Sequence, residues 1–166
     1  MPFQIFIIMN QTPDNTESDN DRSADLWSFA VRCYAVEQAS LLSLQQNAHL
    51  HINDALAAAY AVTNQLAFNV SCWQAVRAGR PRQVLHRVRR YRLAMERSDP
   101  KRARLLDWEL TLERWDLSLL ARCLGSEPSD QADHSRIVTQ MSEHCDLSVE
   151  AVETLLGRLQ ISGQKV

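Results

Sequence analysis

The sequence predicts an all-α fold: a compact bundle of about six or seven helices that ends in a helix-turn-helix-like pair. Three observations carry this expectation. The 166 residues include only four glycines and five prolines, little material for hairpins or Gly-rich loops. Ala, Leu, Arg, Gln and Glu are abundant, and these residues favour helix. Apolar residues recur at helical spacing from Leu26 to the C-terminal region, with no convincing strand among them. The length suits one domain with a real core.

Residues 1–22 are expected to be a disordered N-terminal segment. Phe3 to Met9 is apolar but short, with no basic flank and no small-residue cleavage site, so it makes a poor signal peptide. Asn10 to Ser23 is polar and acidic. Met9 is read as the natural start and residues 1–8 as an over-extended gene prediction. Ser23 is placed as N-cap of a helix through Leu26, Trp27, Phe29, Ala30, Cys33 and Tyr34. A second apolar set, Ala39, Leu41, Leu42 and Leu44, continues in the same helix or after a turn near Val36. Residues 47–53 form a connector, and Asn53 caps a helix carrying Leu56, Ala59, Tyr60, Thr63 and Ala67. The longest uncharged run, Ala55 to Val76, is long enough for a membrane span. Its interior Thr63, Asn64, Gln65, Asn69, Ser71 and Gln74 argue against one, so a buried helix, or two with a break near Asn69, is expected.

Gly79 and Pro81 end that segment and open an arginine-rich helix. Residues 77–104 hold eleven Arg or Lys against two acids, a local charge of +9 in a chain whose net charge is −2. Val84, Val88, Tyr91 and Met95 form a narrow apolar seam. On this reading Arg82, Arg89 and Arg97 lie opposite the seam, and Arg87 and Arg92 flank it. Asp99 and Pro100 start a long helix that ends near Gly125. Residues 23–125 are read as the core domain and 126–134 as a polar linker. Residues 135–166 are read as a C-terminal helical hairpin with helices at about 135–145 and 149–160.

The helix from Lys101 to Leu124 carries the sharpest anomaly. Leu105, Trp108, Leu112, Trp115, Leu119 and Cys123 are expected to mark its inward face, widened by Leu106, Leu110, Leu117, Leu120 and Leu124. Glu109, Glu113 and Asp116 project within that apolar sector, which is costly unless each is paired or liganded. The preferred reading is an ion-pair layer with the preceding helix, packed antiparallel, with Arg87 and Arg92 as partners. The alternative is a metal or acid–base site to which His49 or His51 would contribute. The paired Glu-x-x-His spacing of carboxylate-bridged metal bundles is missing, and no familiar nucleophile, P-loop or zinc motif occurs. No catalytic residue and no cofactor are assigned. Cys33, Cys72, Cys123 and Cys145 are far apart in sequence and read as reduced thiols in a cytoplasmic protein. In the C-terminal pair Leu147 and Ser148 fall in the turn, and Val152 and Leu155 point inward. Glu150 and Glu153 sit where a recognition helix would meet phosphate and argue against DNA.

An ordered set of short motifs supports these elements. Leu26-Trp27-Ser28-Phe29-Ala30, Tyr34-Ala35, Leu42-Ser43-Leu44-Gln45, Ile52-Asn53, Arg89-Arg90, Glu109-Leu110 and Glu113-Arg114 together resemble a proteobacterial family of small all-helical proteins of unknown function. The resemblance runs from Leu26 to about Leu120. It lacks the family's Pro-Gly after Tyr34-Ala35, and the tail beyond Leu124 falls outside it. It implies a helical fold and a bacterial cytosolic setting, and no activity.

The function expected from sequence is a non-enzymatic interaction module whose arginine helix takes an anionic partner, nucleic acid or acidic protein. Arg77, Arg80, Arg82, Arg89, Arg97, Lys101 and Arg102 are the anion-binding candidates. The alternatives are a metal-binding or acid–base bundle around Glu109, Glu113 and Asp116, and a helix-turn-helix DNA-binding regulator. An oligomer is compatible with any of these.

Overall fold

A computed structural model describes residues 17–128 and 131–164. Among these described residues, seven helices and one small sheet follow each other: α1 (Glu17–Asn47), α2 (Ile52–Thr63), β1 (Leu66–Phe68), α3 (Val70–Ala78), α4 (Arg80–Ala94), α5 (Lys101–Ala121), β2 (Leu124–Pro128), α6 (Gln131–His144) and α7 (Val149–Gly163). The expected all-α bundle is what the chain forms.

α2 is the centre of the molecule. Every residue from Ile52 to Ala61 is buried, including Asn53 and Asp54. A helix that is apolar all round belongs in an interior. Ala55, Ala57, Ala58, Ala59 and Ala61 keep its girth small, so α1, α5 and α7 all pack against it. The uncharged run is thus a buried helix, broken at Asn64–Asn69 as expected, and no described helix is long and apolar enough to cross a membrane. Asn69 supplies the break: its side chain accepts a hydrogen bond from the Cys72 N–H at 2.9 Å and caps α3.

Several expectations at element ends are corrected. α1 is one continuous 31-residue helix. It already runs from Glu17, so Ser23 lies inside it and the helical residues 17–22 belong to α1. The proposed start at Met9 lies outside the described residues. α2 begins one residue before Asn53, with His51 at the N-cap, which frees the Asn53 amide for a different task. α5 starts one residue later than expected, at Lys101 with Pro100 in the N-cap position, although the Asp99 carboxylate still accepts from the Lys101 N–H at 2.8 Å, and it ends at Ala121 rather than near Gly125.

The sheet was not expected. β1 and β2 pair antiparallel, with Leu66 opposite Pro128 and Phe68 opposite Leu124. A three-residue strand is too short to display alternation, and β2 occupies part of the segment read as linker; α6 begins at Gln131 rather than 135. Gln65, at φ 53°, makes the left-handed turn into β1. The pairing draws the first turn of α3 to the end of α5, where the Asn69 N–H donates to the Cys123 carbonyl at 2.8 Å. Cys72 and Cys123 are joined there by a disulfide, with Cα atoms 5.4 Å apart. The expectation of four reduced thiols therefore fails for this pair, because a 51-residue separation in sequence concealed their adjacency. Cys33 and Cys145 are free.

The C-terminal pair is not peripheral. Val152, Leu155, Leu156 and Leu159 belong to the same apolar core as Leu26, Phe29, Leu56 and Leu120. Ser148 caps α7 by accepting from the Ala151 N–H, and Val152 and Leu155 point inward as predicted.

Candidate functional site: the ionic α4–α5 hairpin and its outer face

α4 lies antiparallel on α5, but both helices are turned relative to the apolar pattern. The inward ridge of α4 is Arg82, Leu85, Arg89 and Arg92, at i, i+3, i+7 and i+10. Leu85 is fully buried and Arg82 is 3% exposed, whereas Val84 and Tyr91 of the expected seam are exposed. The inward ridge of α5 is Glu109, Asp116, Leu117 and Leu120. Trp108 and Trp115, expected inside, are 66% and 51% exposed.

Charge complementarity explains the turn. Arg82 binds Asp116 through two hydrogen bonds, Nε to Oδ1 at 2.9 Å and Nη2 to Oδ2 at 2.6 Å. It also donates from Nη1 to Asp54 Oδ1 at 2.7 Å. Arg77 stands 3.6 Å from the other Asp54 oxygen, and Asn53 Nδ2 donates to Asp116 Oδ2 at 2.9 Å. Two turns along α4, Arg89 donates to Glu109 at 2.7 Å and to Glu113, and Arg92 donates to Glu109 with two nitrogens. Arg102 reaches back to the last carbonyls of α4, Arg92 O at 3.0 Å and Met95 O at 2.9 Å. Bidentate arginine–carboxylate pairs can satisfy buried charge where a single lysine contact could not.

The ion-pair layer expected between these two helices is therefore present. Its membership differs. Arg92 takes part as expected, but Arg87 is exposed and its place is taken by Arg82 and Arg89, both expected on the outer row. The layer also extends to α2 through Asp54, which the sequence reading passed over. A signal was there: Asp54 is the sole Asp, Glu, Lys or Arg between Glu37 and Arg77.

Protonation follows the geometry. Burial opposes ionisation of Glu109, but hydrogen bonds from Arg92 and Arg89 outweigh it and hold its pKa below the usual value. Glu113 goes the other way: burial raises its pKa, with the Glu109 charge adding to it and Arg89 opposing. Burial disfavours the Arg82 cation, yet Asp54 and Asp116 more than compensate and raise its pKa. The H-x-H pair is split. His49 is exposed, 3.6 Å from Asp146. His51 lies edge-to-face with His86, ring centroids 5.3 Å apart. Burial, followed by the nearby Arg82 charge, depresses the His51 pKa well below its ordinary value. The carboxylates are thus ligated by guanidinium groups, and among the described residues no group of three or more His, Cys, Asp or Glu could hold a metal ion.

What faces solvent is a different set. Arg80, Arg87, Arg90, Arg97, Lys101, Arg104 and Arg114 are exposed on α4, α5 and their connection, Arg114 over the Trp27 ring at 5.5 Å, against exposed Glu96 and Asp107. Of the anion-binding candidates, Arg80, Arg97 and Lys101 remain exposed. Arg82, Arg89 and Arg102 are engaged in the fold, and Arg77 sits over the Trp73 ring at 5.0 Å and against Asp54.

A family described as "Protein of unknown function (DUF2390)" matches residues 25–120, more than half of the chain. The chain belongs to that family. The DUF2390 match takes in α1 from Asp25, all of α2, β1, α3 and α4, and α5 to Leu120, and so contains the whole ionic layer. It stops short of Cys123, β2, α6 and α7, which the resemblance seen in the sequence also left out. No curated protein and no solved structure matches this chain.

Proposed function

We propose that this DUF2390 chain is a non-enzymatic helical interaction module whose α4–α5 outer face takes an anionic macromolecule. The observation that carries the reading is the division of the arginines. Arg82, Arg89, Arg92 and Arg102 bond within the fold, while Arg80, Arg87, Arg90, Arg97, Lys101 and Arg104 are exposed and have no ion-pair partner among the described residues. With Arg114, seven outward bases against two outward acids give a local potential that attracts polyanions. Exposed Tyr91, Trp108 and Trp115 on the same hairpin favour single-stranded nucleic acid over an acidic protein, since aromatic faces stack bases whatever their sequence.

The acid–base alternative loses support because Glu109, Glu113 and Asp116 each already accept from arginine. The DNA-regulator alternative does too: α7 exposes Glu150 and Glu153, and its Arg158 is tied to Glu37 and to Ser40. A cytoplasmic setting and an open oligomeric state belong to the proposed reading. The Cys72–Cys123 disulfide is the observation that weighs against the cytoplasm; mass analysis of protein isolated with its thiols blocked tests it.

The deciding experiment is titration of single-stranded RNA and DNA oligonucleotides at several salt concentrations. Binding that weakens as salt rises, and that Arg87→Glu with Arg90→Glu abolishes, is the expected result. Salt-independent binding, or no binding by the unaltered protein at low salt, would overturn the reading.

A further inference from the structure

The joint between α3 and α5 carries chemistry that the proposed function does not use. Cys72 lies in the first turn of α3, three residues past the Asn69 N-cap, and Cys123 follows the end of α5. The two ends of their disulfide differ. Cys72 is partly exposed, whereas Cys123 is 1% exposed. The positive end of the α3 dipole stabilises negative charge at Cys72. The pair is also held together by bonds that involve no sulfur. The Asn69 N–H donates to the Cys123 carbonyl at 2.8 Å, Phe68 pairs with Leu124 across the sheet, and Phe68, Trp73 and Leu124 belong to the core. Opening the disulfide leaves these contacts in place and the two thiols side by side. The free cysteines offer no comparable site. Each donates its thiol to a carbonyl, Cys33 to Leu159 at 3.2 Å and Cys145 to Met141 at 2.9 Å, and burial raises the pKa of both.

We propose that Cys72 and Cys123 form a reversible thiol–disulfide exchange site, entered at Cys72 by a dithiol. A thiolate of the dithiol attacks Cys72 Sγ, the sulfur of the residue that solvent reaches. The electron pair of the Cys72–Cys123 bond leaves on Cys123 Sγ, which takes up a proton. The second thiolate of the dithiol then attacks its own partner's sulfur in the mixed disulfide and releases Cys72 as a thiolate, stabilised at the start of α3. The dithiol departs as a disulfide. Two electrons have passed to the protein, and the reverse sequence, driven by an oxidised dithiol, restores the bond. The retained contacts between β1, α3 and the end of α5 make both directions possible without unfolding. A bond that exchanges in this way is compatible with a reducing compartment, where persistent disulfides are rare and those that form are transient. Cys72 belongs to the DUF2390 match and Cys123 lies just beyond it.

The test uses the full-length protein without denaturant. Samples are equilibrated with mixtures of reduced and oxidised dithiothreitol, their thiols are alkylated, and the peptides are identified by mass spectrometry. The Cys72–Cys123 bond should open and re-form as the mixture is changed, while far-ultraviolet circular dichroism keeps its helical signal. Entry at Cys72 is read separately with oxidised glutathione. Cys123→Ser should take up one glutathione at Cys72, and Cys72→Ser should react at Cys123 at least about tenfold more slowly. If either variant does not fold, reduced unaltered protein treated with limiting iodoacetamide gives the same order, with Cys72 alkylated first. A bond that opens only in denaturant, loss of the helical signal on reduction, or a Cys123 that reacts as fast as Cys72 would overturn the proposal.

Discussion

Asp116 is completely buried, and its charge is balanced by Arg82 and bonded by Asn53. Removing one partner of such a pair leaves an uncompensated buried charge, a far larger penalty than losing a surface contact. Asp116→Ala should destabilise the protein by about 3–5 kcal/mol, read as a lowered midpoint of urea denaturation. Arg87→Ala, on the exposed side of α4, should shift stability by no more than about 0.5 kcal/mol. The pair of variants separates the observed layer from the expected one, in which Arg87 was a buried partner. Cys33 behaves differently again: burial pushes its thiol up to about 12, and it donates to the Leu159 carbonyl at 3.2 Å, so it acts as a core side chain.

At the scale of elements, α7 offers a test within one helix. A Cβ built on Gly163 would lie 2.0 Å from the buried Phe29 ring, whereas one on Gly157 meets nothing within 4 Å. Gly163→Ala should cost about 1–3 kcal/mol through overpacking. Gly157→Ala should stabilise by about 0.5–1 kcal/mol through helix propensity. Thermal denaturation of the two variants should therefore move in opposite directions. The disulfide that ties the start of α3 to the end of α5 closes a long loop. Replacing Cys72 and Cys123 together by Ser should cost about 2–4 kcal/mol, measured by urea denaturation without reductant.

Helix existence was legible in the sequence; which way the helices face was not. On α4 the set Val84, Val88, Tyr91 and Met95 and the set Arg82, Leu85, Arg89 and Arg92 share nearly the same spacing. A pattern rule that counts only apolar residues must choose the first. The partner helix reverses that choice, because Glu109, Glu113 and Asp116 need the arginines more than solvent does. The same rule misplaced Trp108 and Trp115 on α5. The acids themselves were identified correctly as a paired layer, since carboxylates inside an apolar sector must have partners. The sheet and the disulfide depend on contacts between segments more than fifty residues apart, and no local pattern announces those.

Across the whole molecule, the buried neutral state of His51 makes stability depend on pH. Its ordinary value is 6.5 and the folded value lies well below. Below about pH 6.5 the unfolded chain takes up a proton that the folded chain refuses, so stability falls as pH falls until the folded pKa is reached. Arg82, Asp116, His86 and Arg89 set this local field, and among them Asp116 alone opposes the depression. Glu109, depressed in the folded state, adds a further loss in the carboxylate range, while Glu113, raised, acts in the opposite sense. Urea midpoints should drop between about pH 7 and 5, and His51→Asn should flatten that dependence.

Asp54 gives the bundle an index mark. It sits on the central, alanine-rich helix, whose smooth sides would accept a neighbouring helix at several offsets. Arg82 grips Asp54 and Asp116 at once. If the hairpin slid by one turn, about 5.4 Å, that guanidinium would leave both carboxylates together and strand three buried charges. Small apolar contacts tolerate such a slide; this triad admits a single alignment. The position of the outward bases relative to the rest of the molecule is thus fixed by one aspartate in the buried stretch, Ile52 to Ala61, of the central helix.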